Sequence, residues 1–223
     1  MNSEPEKILF IAYQFPPQGG PGVHRSIRFV KHLPESGILP IVLTRDVASV
    51  ENGHYPVDKS LMEKIPAHIQ IIRVPSDEKR KLRTVLMKFR LYGIFWWLFY
   101  KKLWEPSVSW SQKAIDPAKK IISENNIRLI YTSSAPFTAL ELGYALKKQT
   151  GVKWIADLRD PWCDAFTWQW PSERHWKMDT EKEKELLNFA DKIIVVTQEM
   201  KRLLIKKGIG NEYKIEVVYN GFE

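Results

Sequence analysis

A chain of 223 residues, 44% of them hydrophobic, is long enough to bury a core of its own, and one large domain is expected. Its single cysteine, Cys163, excludes an internal disulfide framework and fits a reducing compartment such as the cytoplasm. The formal net charge of +8 is local: residues 79–104 carry eight Lys/Arg and no acid, leaving 26 bases against 26 acids elsewhere, so the surface as a whole is not basic.

The polar start MNSEPEK does not read as a signal peptide. Seven short β-rich runs then follow in order, at 7–13, 38–44, 69–74, 127–132, 153–157, 192–197 and 214–219. Most are near-continuous in Ile, Val, Leu and aromatics, as strands buried on both faces of a parallel sheet are. Helical spacing lies between them. Val23, Ile27, Val30 and Leu33 recur at steps of four and three, as do Ala139, Leu142, Gly143 and Leu146 in a helix expected to stop at Gly151. Residues 172–190 read as a charged helix with Ser172 as its N-cap, and 199–207 as a short helix after Thr197, closed by Gly208. The alternation predicts an α/β fold, a doubly wound and mostly parallel sheet of about seven strands. Such sheets bind ligands beyond the carboxyl ends of their strands, which directs attention to the loops there.

The first such loop is FPPQGGPGVHR, 15–25. Gly19, Gly20 and Gly22 permit close backbone approach, and the loop delivers a helix N-terminus, a natural anion site. Arg25 stands where a dinucleotide fingerprint needs its third glycine, so a nicotinamide-linked oxidoreductase is disfavoured; the P-loop pattern is absent too. The loop is either phosphate-facing or a plain tight turn. His24 alone of the five histidines falls in a candidate site. The second loop follows WIADLRDPW, 154–162: Asp157, Arg159 and Asp160 end a strand, and Trp162 opens a run with Trp168, Trp170 and Trp176 that suits a sugar ring or an anionic headgroup. An Asp–Arg pair that merely fixes the loop explains the charges equally. No third carboxylate or histidine is spaced for a metal, and none is expected. In the third, YTSSAPFTA, Ser133 and Ser134 are candidates for binding a ligand, and capping of the next helix explains them well.

Within the basic segment 79–104, LYGIFWWLFY is too short to span a bilayer. Arg83, Lys88, Arg90, Trp96, Trp97, Lys101 and Lys102 suit contact with an anionic membrane surface, the other reading being a helix packed on protein. The apolar run argues against a nucleic-acid partner.

Three stretches carry a resemblance in order along the chain: ILFIAYQFPPQGGPGVHRSIRFVKHLPESGILPIVLT, WSQKAIDPAKKIISENNIRLIYTSSAPFTALELGYALKKQTGVKWIADLRDPW, and ADKIIVVTQEMKRLLIKKG with KIEVVYNGFE. The sequence resembles the N-terminal, acceptor-side domain of a GT-B glycosyltransferase of the large retaining family four. That resemblance implies a Rossmann-like domain over 1–219, with 79–104 inserted, and an interdomain linker from 220–223. It implies a nucleotide-sugar donor held mainly by a C-terminal domain that this chain lacks, so the half alone is expected to be inactive. It also implies a glycan or lipid-linked acceptor, no cofactor, and a cytoplasmic location open to peripheral seating on the inner face of the cytoplasmic membrane. Gly19, Gly20, Gly22 and Arg25 are then expected on the donor diphosphate. Asp157, Arg159 and Asp160 are expected at the reacting centre, and Ser133, Ser134, Trp162 and His24 on the acceptor. Many relatives carry a histidine at 133–138; here there is none, and no such role is assigned. The competing class is a non-catalytic lipid- or sugar-binding module that keeps the sheet.

Overall fold

The runs of Ile, Val, Leu and Phe form seven strands: β1 (Glu6–Ala12), β2 (Ile38–Arg45), β3 (Ile71–Val74), β4 (Leu129–Ser134), β5 (Lys153–Leu158), β6 (Lys192–Val195) and β7 (Ile215–Val217). The structure, a computed structural model, describes residues 5–47, 56–76, 88–89, 106–165, 170 and 172–221. All seven strands are parallel in one sheet of order β3-β2-β1-β4-β5-β6-β7. Each predicted strand is present, within a few residues at its ends.

Among the described residues five α-helices are bounded: α1 (His24–His32), α2 (Pro106–Glu124), α3 (Thr138–Thr150), α4 (Glu173–Phe189) and α5 (Gln198–Lys206). Thr197 caps α5 by accepting from the Met200 N–H at 3.1 Å, and α3 stops at Gly151 with φ 74°, as read from sequence. Two details differ. The helix start expected at Val23 is a 3-10 turn, Pro21–Val23, because the prolyl turn leads into α1 only at His24. Ser172 holds the N-cap position of α4, but its hydroxyl engages the His175 ring at 2.8 Å instead of a helix N–H.

The apolar runs are continuous because the sheet is covered twice. Ile8, Phe10 and Ala12 pack with Val23 of the 3-10 turn and Ile27 and Val30 of α1 on one face. Leu9 and Ile11 pack with residues of α2, α3, α4 and α5 on the other. Alternate β1 side chains thus enter two cores, and full burial of each is worth roughly 1.5–3 kcal/mol. α2, over 106–124, was not anticipated from sequence. It anchors on the fully buried Trp110, whose ring meets Tyr13 edge-on at 5.2 Å between centroids.

The strand order reverses between β1 and β4, so their carboxyl ends open a crevice. Opposite it, α3 lies so close to the sheet that a Cβ on Gly143 would come within 2.5 Å of the Trp154 indole, itself fixed by donating to Thr132 Oγ1 at 2.8 Å. Gly143→Ala should therefore destabilise the fold by roughly 1–3 kcal/mol through overpacking, although alanine is the better helix former. Urea unfolding measures this; an unchanged or raised midpoint would contradict the close packing.

Candidate functional site

Register aligns Ala12, Ser133 and Asp157 across the ends of β1, β4 and β5. Asp157 is fully buried. Above it the first turn of α1 points Arg25 inward, and the guanidinium grips the carboxylate with two bonds, Nη2–Oδ1 at 2.8 Å and Nε–Oδ2 at 2.9 Å. The Arg25 Nη1 donates to the Val218 carbonyl at 3.0 Å and to Asn220 Oδ1 at 3.1 Å. Burial works against the charge of Arg25, but Asp157 outweighs it and holds the guanidinium pKa above its usual value. Burial, and then the same carboxylate, drive the Tyr131 phenol well above the ordinary tyrosine range. A cation at a helix N-terminus opposes the macrodipole, so Asp157 also compensates that cost.

Loop 13–22 follows β1. Gly20 sits at φ 99°, a conformation that favours glycine, and turns the chain into the 3-10 segment before α1. Gly22 is packed under two polar side chains: a Cβ there would lie 1.8 Å from Gln14 Oε1 and 2.9 Å from Arg159 Nη1, so those two tips would have to shift. The outer side of the loop is joined to residues 56–58 by Gly19 N–Pro56 O at 2.8 Å and Asp58 N–Pro17 O at 2.7 Å. Neither Pro21–Val23 nor α1 has a side-chain cap at its N-terminus, and neither has an acid in its first turn. His24 is exposed at that end and bears electrostatically on Asp58, whose pKa is lowered chiefly by its bond with Ser60. The arrangement is a glycine loop on an uncapped helix start, which suits an anion.

Several sequence expectations change in detail. Arg25, expected on a diphosphate, spends its donors on Asp157 and the segment after β7. Asp157 is the buried partner of that cation and does not face the crevice as a free carboxylate. Arg159 reaches back to the Gly22 carbonyl and to Gln14 Oε1 at 3.4 Å, joining the two loops, while Asp160 stays exposed beside it. Ser133 and Ser134 do not cap α3, which begins four residues later with Phe137 as N-cap; Ser134 Oγ donates to the Asp157 carbonyl at 3.0 Å, and Ser133 is buried. Trp162 presents no face to an acceptor, being 1% exposed and stacked on Phe137 at 4.9 Å. Of the basic segment, Lys88 is described and is exposed; Arg83, Arg90, Trp96, Trp97, Lys101 and Lys102 lie outside the described residues, as does Trp168.

Sequence reasoning missed Gln14, Gln18, Arg45 and Arg73, which hold loop 13–22. The two arginines at the ends of predicted strands were the available signal. It also missed the anchorage of the loop after β5. Lys207 bonds Asp164 Oδ2 at 2.6 Å and the buried Glu183, and Trp170 Nε1 donates to Asp179 Oδ2 at 2.9 Å. Among the described residues no group of three His, Cys, Asp or Glu could hold a metal, and no helix is long and apolar enough to cross a membrane.

The chain belongs to Glycosyltransferase Family 4, whose model matches residues 22–223. No curated protein matches the chain significantly in sequence. Sucrose-phosphate synthase from Thermosynechococcus elongatus superimposes with a TM-score of 0.58 at 16% identity, over 97% of this chain and 48% of that one. The glycotransferase of kitacinnamycin does so with 0.53 at 10% identity, over 99% and 53%. These likenesses show the GT-B type of sheet, and the chain spans about half the length of each of these two structures.

Two outcomes follow. Asp157→Asn should cost about 3–5 kcal/mol of stability, because it leaves Arg25 buried without its counter-charge. Urea unfolding reads this, and a loss under 1 kcal/mol would show the pair to be solvated. Cys163 is buried in the loop after β5, and burial, with the Glu183 charge adding to it, pushes its thiol up to about 12. At pH 8 the thiol should be protonated and react with Ellman's reagent only after unfolding, whereas reaction at a free-thiol rate in native buffer would show that loop to be open.

Proposed function

We propose that this chain is the acceptor-side domain of a retaining, nucleotide-sugar-dependent glycosyltransferase that acts on a glycan or lipid-linked acceptor in cell-surface glycan assembly. Family membership supports glycosyl transfer. The observation that carries the site assignment is the glycine loop and uncapped helix start opening at the crevice between β1 and β4. There Gly19, Gly20 and Gly22 would bring backbone up to the donor diphosphate. The positive helix end stabilises charge that grows on the leaving group as the anomeric bond breaks, without a metal ion. Asp160 and His24, both exposed, would line the acceptor side, and Arg159 holds Asp160 beside the loop. Arg25 and Asp157 position this edge of the sheet and do not themselves touch substrate.

In this reading a second domain supplies most of the donor site, and 79–104 seats the protein on the inner face of the cytoplasmic membrane, where lipid-linked acceptors reside. The protein together with its donor half should release nucleoside diphosphate from at least one common nucleotide sugar when lipid-linked acceptors are supplied. No turnover across the common donors, with and without such acceptors, would overturn the enzymatic reading. Sedimentation with anionic liposomes tests the membrane component: charge reversal over 79–90 should abolish binding, and equal binding by the altered protein would sink it.

A further inference from the structure

Resting on the reading that loop 13–22 receives a diphosphate, we propose that Arg45, Arg73 and Arg159 are positioning residues of that loop. Together they bind its acceptor atoms so that the N–H groups of Gly20 and Gly22 are left to face the ligand, those of Gln18 and Gly19 being taken by the Phe15 and Pro56 carbonyls. The three reach it from different elements. Arg45 ends β2, donates to Tyr13 Oη at 3.1 Å and to Gln18 Oε1, and lies over the Tyr13 ring at 4.7 Å. Arg73 lies in β3 and donates to the Pro16 carbonyl at 2.6 Å and to the Arg45 carbonyl at 3.5 Å. Arg159 follows β5 and takes the Gly22 carbonyl and Gln14. Because Thr44, not Arg45, is the register partner of Arg73, the first two side chains leave the sheet on opposite faces and brace the loop from two sides.

A contrast in partners separates these groups from ordinary structural arginines. Arg25 is buried against a carboxylate. Arg45 is 8% exposed and Arg73 half-buried, yet their hydrogen bonds go to neutral acceptors, and neither forms an ion pair among the described residues. Burial pulls the Arg73 guanidinium below its usual pKa, with Asp46 opposing it through space. Holding two guanidinium groups partly out of water on neutral acceptors is expensive. What the expense secures is the orientation of the loop. The carbonyls of Phe15, Pro16, Pro17, Gly20 and Gly22 each accept a bond from within the protein, from Gln18 N, Arg73, Asp58 N, Val23 N and Arg159 respectively. A carbonyl turned toward the crevice would repel an anion, and with these five engaged the loop presents its other polar groups.

The test uses Arg45→Gln, Arg73→Gln and Arg73→Lys in this chain, with two readouts. One is amide exchange of Gln18, Gly19, Gly20 and Gly22 in ligand-free protein, set against Leu9 to Ile11 of β1. The other is the affinity for inorganic pyrophosphate followed by NMR. Each glutamine variant should speed loop exchange about tenfold with β1 unchanged, and should weaken pyrophosphate about tenfold. Arg73→Lys, which keeps a donor for Pro16, should restore most of the loop protection. Unchanged loop exchange in both glutamine variants would overturn the proposal. So would acceleration of β1 and the loop together, the mark of a role in general stability alone. Loosened loops in a protein whose wild type binds no pyrophosphate would support positioning and instead count against the diphosphate reading.

Discussion

Arg25 and Asp157 meet where α1, β5 and the segment after β7 converge, and the candidate site is arranged around that buried pair. Asp157 lies fully buried at the end of β5 with the guanidinium as its counter-charge. Arg25 could not sit in the first turn of a helix, at the positive end of its dipole, without the carboxylate. The pair therefore fixes how the first turn of α1 docks on the sheet. The free N–H groups of that turn and the glycine loop before it inherit their direction from the same contact. Through Val218 and Asn220 it also holds the chain as it leaves β7.

The loops at this edge are braced with unusual completeness. Loop 13–22 is held by Arg73 and Arg159 at its carbonyls and by Arg45 at the Tyr13 and Gln18 side chains, and the loop after β5 is tied to α4 and α5 at Asp164 and Trp170 by Lys207 and Asp179. Loop 13–22 is therefore preorganised before any ligand arrives, which is what a site that must stabilise developing charge requires. Among the described residues His24 and Asp160 are exposed polar groups at this edge.

Much of this was legible in the sequence. Continuous apolar runs marked all seven strands, because a sheet covered on both faces has no polar side to interrupt them. The glycine loop declared itself through Gly20, whose positive φ favours glycine, and Gly22, which lies against the Gln14 and Arg159 side chains. α2 was missed because its anchor, Trp110, follows the long basic segment and its helical period is broken by Pro117. The roles of charged residues were the hardest to read. Arg25 and Asp157 are 132 positions apart, so nothing local reveals that they neutralise each other. Trp162 looked like a sugar platform from composition, but burial against Phe137 is a tertiary fact. Arg45 and Arg73 were visible only as polar ends of apolar runs.

The central claim is that the crevice between β1 and β4 receives a diphosphate at the glycine loop and the start of α1. Amide chemical-shift mapping with a nucleoside diphosphate tests it directly. The account predicts saturable shifts centred on Gly19, Gly20, Gly22 and His24, with the β3 and β7 edges unaffected. Saturable shifts elsewhere on the sheet, or none at millimolar ligand, would contradict it.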